Sequence, residues 1–149
     1  MPLTLQLSLA LALLTSGSFA MAQANLGTLL DAGAARLSAE EFRRELVGRQ
    51  ISGLAANGQQ MQIVYLESGE IRGAGGATPR GGAGGGGQTF DIQGTYTIDD
   101  SARMCTTMQL GRTSLAPRCQ YWYRLDRQYF LSDSDSDRSA RVQARTALQ

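Results

Sequence analysis

The sequence predicts a mainly β protein (α+β at most): a six- to seven-stranded antiparallel meander curled into a small barrel or half-barrel, with one short N-terminal helix and one disulfide. Three observations predict it. After Gly48 the apolar residues change from helical spacing to strict alternation, the pattern of half-buried strands. Short turn signals separate the alternating segments, which favours antiparallel neighbours. The two cysteines, Cys105 and Cys119, follow a segment that reads as an export leader, and an exported pair is expected to be oxidised.

The leader is an uncharged apolar run from Leu3 to Leu14, passing into Ser18-Phe19-Ala20-Met21-Ala22. Its apolar core is shorter than the roughly 20 helical residues that cross a bilayer. Ala20 and Ala22 form an A-x-A signal, so cleavage is expected after Ala22, with Ala24 as the second choice. A buried apolar helix is the competing reading, but the run ends in small residues rather than a cap. The leader predicts a periplasmic or secreted protein whose mature chain does not insert in a membrane.

Residues 23–37 are small and weakly patterned, a lead-in with one helical turn around Leu29 and Leu30. Ser38-Ala39-Glu40-Glu41 is a capping box with carboxylates where the helix dipole favours them. Phe42 and Leu46 follow four residues apart and Gly48 ends the pattern, so a helix is predicted over 39–47. Strands are predicted over 50–55, 60–67 and 70–72, joined at Asn57-Gly58 and Ser68-Gly69. Thr89 to Ile98 alternates most cleanly, with Phe90, Ile92, Gly94, Tyr96 and Ile98 on one face. After Asp99-Asp100-Ser101 come strands over 103–110, 120–125 and, past Asp126-Arg127, 128–132. Arg141 to Leu148 reads equally as a last strand or a frayed helix. The β-domain is thus placed at 38–135, with 136–149 a C-terminal strand or tail; a closed barrel and a curled open sheet both remain open.

The Cys105–Cys119 bridge closes a loop worth about 3 kcal/mol by chain entropy. The run Gly73–Gly87 holds nine glycines in 15 residues. A phosphate cradle needs such a loop to open a helix and to carry a lysine, which this chain lacks. It reads as a flexible hairpin tip, with a mobile lid as the alternative. Asp133-Ser134-Asp135-Ser136-Asp137 opens like a calcium loop, but Arg138 and Ala144 stand where glycine and glutamate are required. A solvated acidic turn neutralised by Arg138, Arg141 and Arg145 is the expectation, with no metal and no cofactor.

All 14 basic residues are arginine, and the chain has neither histidine nor lysine. That removes the usual neutral-pH base, Ser-His and Cys-His nucleophiles, the commonest metal ligand and Schiff-base chemistry. No catalytic residue is assigned. Asp99 with Asp100, or Glu67 with Glu70, are the carboxylate pairs a hydrolase would need, and neither carries a signal of burial. A net charge of +1 argues against nucleic acid as a partner. Between Tyr121 and Phe130 lie five aromatics; the turn at Asp126-Arg127 sets Tyr123 opposite Phe130, Trp122 opposite Leu131 and Arg124 opposite Tyr129. Core packing explains them, and the alternative is a cavity lined by Tyr65, Tyr96, Tyr121, Trp122 and Tyr123.

In order along the chain, the features are a leader, a helix ending in Leu46-Val47-Gly48, and a strand–Asn57-Gly58–strand unit. Gly94-Thr95-Tyr96, Cys105 after a turn, and Cys119 leading into the aromatic strand Gln120–Leu125 complete the set. In these the sequence resembles the small exported bacterial proteins of the domain of unknown function 995 family over residues 38–135. It departs in its glycine-rich insertion and in Tyr96, where that family tends to have tryptophan. The resemblance implies a periplasmic β-domain and no site. The function expected is a non-enzymatic binding or envelope-accessory module, acting on a small ligand or an envelope protein. A lipocalin-like carrier of a small apolar or aromatic ligand is the alternative, and a carboxylate-dependent hydrolase the second.

Overall fold

The structure, a computed structural model, describes residues 25–55, 58–76 and 89–148. The leader, Asn57 of the first turn and residues 77–87 of the glycine run lie outside the described residues. In chain order the elements are α1 (Leu26–Asp31), β1 (Ala35–Arg36), α2 (Ala39–Leu46), β2 (Gln50–Leu54), β3 (Gln60–Tyr65) and β4 (Glu70–Gly76). They continue with β5 (Thr89–Ile98), β6 (Arg103–Leu110), β7 (Thr113–Ser114), β8 (Arg118–Leu125), β9 (Gln128–Ser132) and β10 (Val142–Leu148).

From β2 onward each long strand pairs antiparallel with the next, β6 with β8, and β10 returns to β2. The result is a closed eight-stranded up-and-down barrel. The strand beyond the six or seven expected is the ambiguous one. Val142–Leu148 pairs with β9 on one side and β2 on the other. Its phase was hidden because polar Gln143 and Arg145 point inward while small Ala144 faces out.

The glycine run also needs correcting. Gly73–Gly76 are not loop but the second half of β4, in register with β3 and β5. Glycine is required there by crowding: a Cβ on Gly73 would run into the backbone carbonyl oxygen of Gln62, and one on Gly75 into the ring of Phe90, its cross-strand partner. The predicted aromatic register is met pair for pair, with Trp122 opposite Leu131, Tyr123 opposite Phe130 and Arg124 opposite Tyr129.

The strands are apolar inward and polar outward. Met61, Ile63, Tyr65, Ile71, Ile92, Met104, Trp122 and Leu131 form one buried cluster, whereas Gln62, Arg72, Gln93, Thr95 and Thr107 are exposed. That is the reverse of a membrane barrel, whose outer band is apolar. Among the described residues no helix is long and apolar enough to cross a bilayer.

One part of the outer surface is covered. The Asn25 side chain accepts from the Thr28 N–H to start α1, and Leu26 and Leu29 pack on Tyr123 and Phe130 of β8 and β9. The amides of Leu26 and Gly27 donate to Ala140 and Arg138. The lead-in is therefore a bound flap, and β8–β9 are buried on both faces.

Helix α2 enters one end of the barrel. Its capping box is complete: the Glu41 amide donates to Ser38 Oγ, and the Ser38 amide donates to Glu41 Oε2. Phe42 and Leu46 are fully buried inside the barrel. Gly48, at φ +79°, turns the chain into β2 while its amide donates to Tyr65 O. On the other side of the helix Glu45 accepts from Arg124 and, at 3.1 Å, from the Tyr129 hydroxyl.

Two carboxyls of α2 are expected to make the fold acid-sensitive. The Ser38 backbone N–H, then its hydroxyl, holds Glu41 below its ordinary value of 4.5. Burial pushes Glu45 up, but hydrogen bonds from Arg124, Arg44 and Tyr129 more than offset it, so it too is lowered. Carboxyls depressed in the folded state contribute stability that is fully present above the unfolded-state value and lost as pH falls through the folded one. Urea midpoints are therefore expected to fall as the pH drops below about 4.5, and Glu41→Gln should shrink that fall. Ser38→Ala is expected to cost about 1 kcal/mol at pH 7 by the same assay.

Candidate functional site

The barrel has two different ends. At one, Phe42 stands at the centre of an aromatic cluster, 5.4 Å from the Tyr65 ring, 5.7 Å from Tyr96 and 5.9 Å from Trp122. Tyr65 meets Tyr96 edge-on at 5.2 Å, and Trp122 meets Tyr129 at 6.5 Å. Two of the polar handles are satisfied: Tyr96 donates to Leu66 O at 2.7 Å, and the Trp122 indole to the Met104 sulfur at 3.2 Å. This end is a packed floor.

Toward the opposite end the barrel is hollow. A cavity of about 440 Å³ lies between the floor and the strand ends that carry the longer connections. Its apolar wall includes Met61, Ile63, Met104 and Met108, and Leu115 is exposed at its rim. Methionine suits such a wall, since its flexible thioether repacks around different shapes. The polar side chains on the wall are Tyr65, Thr106, Gln120, Gln143, Arg145 and, at the rim, Arg118. A wider concavity of about 860 Å³ over the outer face of β4–β6 is open and polar.

Arg145 is the unusual member. It is only 6% exposed, and its guanidinium is spent on neutral groups: Nη1 donates to Ala144 O and Nη2 to Gln143 Oε1, both at 2.8 Å. Among the described residues its Nε–H has no partner. The side chain lies across Gly53 of the neighbouring strand, where a Cβ would sit 2.7 Å from the Arg145 Cδ. Burial lowers its pKa from the ordinary arginine value, as the nearby Arg118 charge also does, while the Tyr65 phenol works the other way. An arginine stays charged nonetheless.

The five aromatics singled out from sequence do not share one site. Tyr65 is on the cavity wall, with Tyr96 and Trp122 in the floor beside it. Tyr121 and Tyr123 are outside the barrel beneath the flap. There Arg36 stacks 5.5 Å over the Tyr121 ring, and Tyr123 donates to Ser134 O. The cavity residues not foreseen are Gln143 and Arg145 of β10, because that segment's phase was open. Met104 and Met108 could have been placed: they alternate with Cys105, which faces outward.

The acidic run is neutralised differently from the expectation. Arg118 pairs with Asp133 and Arg36 with Asp135, while Arg138 turns to Asp31 and Arg145 into the barrel. Asp137 accepts from the Ser139 amide and hydroxyl. Among the described residues no cluster of three or more ligating side chains could hold a metal. Asp99, Asp100 and Glu67 are exposed, and Glu70 pairs with Arg72, so neither carboxylate pair sits in a cleft.

Fold and cavity together define a class: a small closed up-and-down β-barrel with an apolar interior site, an architecture lipocalins share. Comparison with family models, curated proteins and solved structures finds no match. The functional reading therefore rests on the geometry.

Proposed function

We propose that this protein is a non-enzymatic carrier that holds a small, largely apolar ligand inside its barrel. The observation that carries this reading is the 440 Å³ interior cavity, which falls within the roughly 300–1,000 Å³ of ligand pockets. A filled interior would have left only the binding or accessory role of a surface. The wall supports the reading, being apolar with a few convergent polar groups. In this reading the chain is exported behind its leader to the periplasm or beyond, where the Cys105–Cys119 bridge is stable, as the resemblance to the domain of unknown function 995 family also implies. A hydrolase is not favoured by any cluster in the structure.

The test is saturable binding of an apolar fluorescent naphthylamine probe to the purified protein. Trp122, the chain's one tryptophan, contacts Met104 on the wall and reports occupancy independently. Met108→Trp, which fills the cavity, is expected to weaken binding at least about tenfold, or about 1.4 kcal/mol, without lowering the melting temperature. Absence of saturable binding to the unmodified protein overturns the proposal.

A further inference from the structure

The carrier reading leaves one feature unexplained, a buried cation with no anion. Every Asp and Glu of the chain is among the described residues, and none lines the cavity. The ion pairs of the fold involve other arginines: Arg36, Arg44, Arg72, Arg118, Arg124 and Arg138. An arginine taken out of water needs a compensating charge, and breaking a buried pair is costly because it strands one partner. Arg145 is such a stranded partner in the protein alone. Its free Nε–H is the second sign, since fewer than one buried polar group in ten goes without a bond.

We infer that the cavity takes a single-chain amphiphile carrying one carboxylate, its headgroup on Arg145 and its alkyl tail along the methionine wall toward Leu115. This rests on the carrier reading and names its ligand class. Nε and Nη2 form the side-on fork of a guanidinium, which grips a carboxylate through two parallel bonds. Nε is free, and Nη2 is held only by the side chain of Gln143, which can turn away without disturbing the sheet. One stranded positive charge matches a monoanion; a phosphate monoester would bring a second charge with no partner. The rim cation, Arg118, is already committed to Asp133 through two bonds. At roughly 30 Å³ per heavy atom, the volume of a liquid water, the cavity accommodates about 15 such atoms. Dodecanoate is close to that size.

The experiment titrates the purified protein at pH 8 with dodecanoate, 1-dodecanol and dodecyl phosphate, followed by Trp122 fluorescence and calorimetry. Dodecanoate is expected to bind at least about tenfold more tightly than the alcohol, since a charged hydrogen bond is worth that much. Dodecyl phosphate should bind more weakly than dodecanoate. In Arg145→Gln the preference for the acid should disappear while affinity for the alcohol is kept. Arg145→Met should show the same loss and, without ligand, melt at a higher temperature than the unmodified protein, because an uncompensated charge has been removed. Equal binding of acid and alcohol, tighter binding of the phosphate, or an unchanged preference in both variants overturns the inference and leaves the carrier reading standing. If none of the three chains binds and the naphthylamine probe also fails, the carrier reading falls with it.

Discussion

Phe42→Ala is expected to lower the free energy of unfolding by about 3–5 kcal/mol, measured by urea denaturation. The ring is fully buried and contacts three other aromatics from three different strands. It is also one of only two buried side chains on α2. An eight-residue helix is marginal in water on its own, so its persistence depends on docking. Deleting the ring therefore removes both the contacts and the reason for the helix to stay. Small domains have roughly 5–15 kcal/mol of total stability, so the variant should sit near the threshold of folding. Phe42→Leu should recover most of the loss, as it keeps an apolar plug of similar reach. A loss below about 0.5 kcal/mol in the alanine variant would place it within the ordinary range for surface changes, and would mean that the strands close without their helical plug.

How legible was this arrangement before the structure? Segments whose two faces differ chemically were readable. Thr89–Ile98 and Gln60–Tyr65 alternate apolar and polar residues, and both are strands in the expected phase. The capping box located α2 because Ser38 and Glu41 satisfy specific amides whatever the tertiary context. Failures came where packing, not local chemistry, decides. Val142–Leu148 turns polar residues inward, so alternation points the wrong way until the cavity is known. Gly73–Gly76 has only the Ala74 methyl to offer as a pattern; it is strand because Phe90 and the backbone of β3 fill the space. The aromatic run misled for a related reason. Tyr121 and Tyr123 look like cavity residues only if the outer face is presumed bare, and a helix of weakly patterned sequence covers it. A charge stranded by what does not surround it is invisible to pattern reading altogether. Arg145 becomes conspicuous only once every carboxylate has been placed elsewhere.

Replacing both cysteines, Cys105→Ala with Cys119→Ala, is expected to cost about 3 kcal/mol and to lower the melting temperature by on the order of 10 °C. The two residues sit opposite each other in the β6–β8 pair, with a sequence separation of 14, and their sulfurs are bonded. That pair is one of the barrel's shorter ladders, with four residue pairs in register. Most other neighbouring barrel strands run directly into each other through tight turns, whereas β6 reaches β8 across residues 111–117, in which β7 holds only two residues. The bridge removes from the unfolded chain the freedom this longer connection would otherwise give it. It lies on the outer face of the barrel, so its loss leaves no cavity in the core and the cost should be close to the chain-entropy value. Treating the unmodified protein with a phosphine reductant should reproduce the shift, separating loss of the bond from loss of the side chains. The same change should reach the ligand site. Ala116, Pro117 and Arg118, immediately before Cys119, line the cavity rim. Loosening that seam should therefore speed release of a bound probe, read as a faster dissociation rate, while leaving the Arg145-dependent preference for a carboxylate intact. If reduction moves neither the melting temperature nor the release rate, the backbone ladder between β6 and β8 holds the seam by itself.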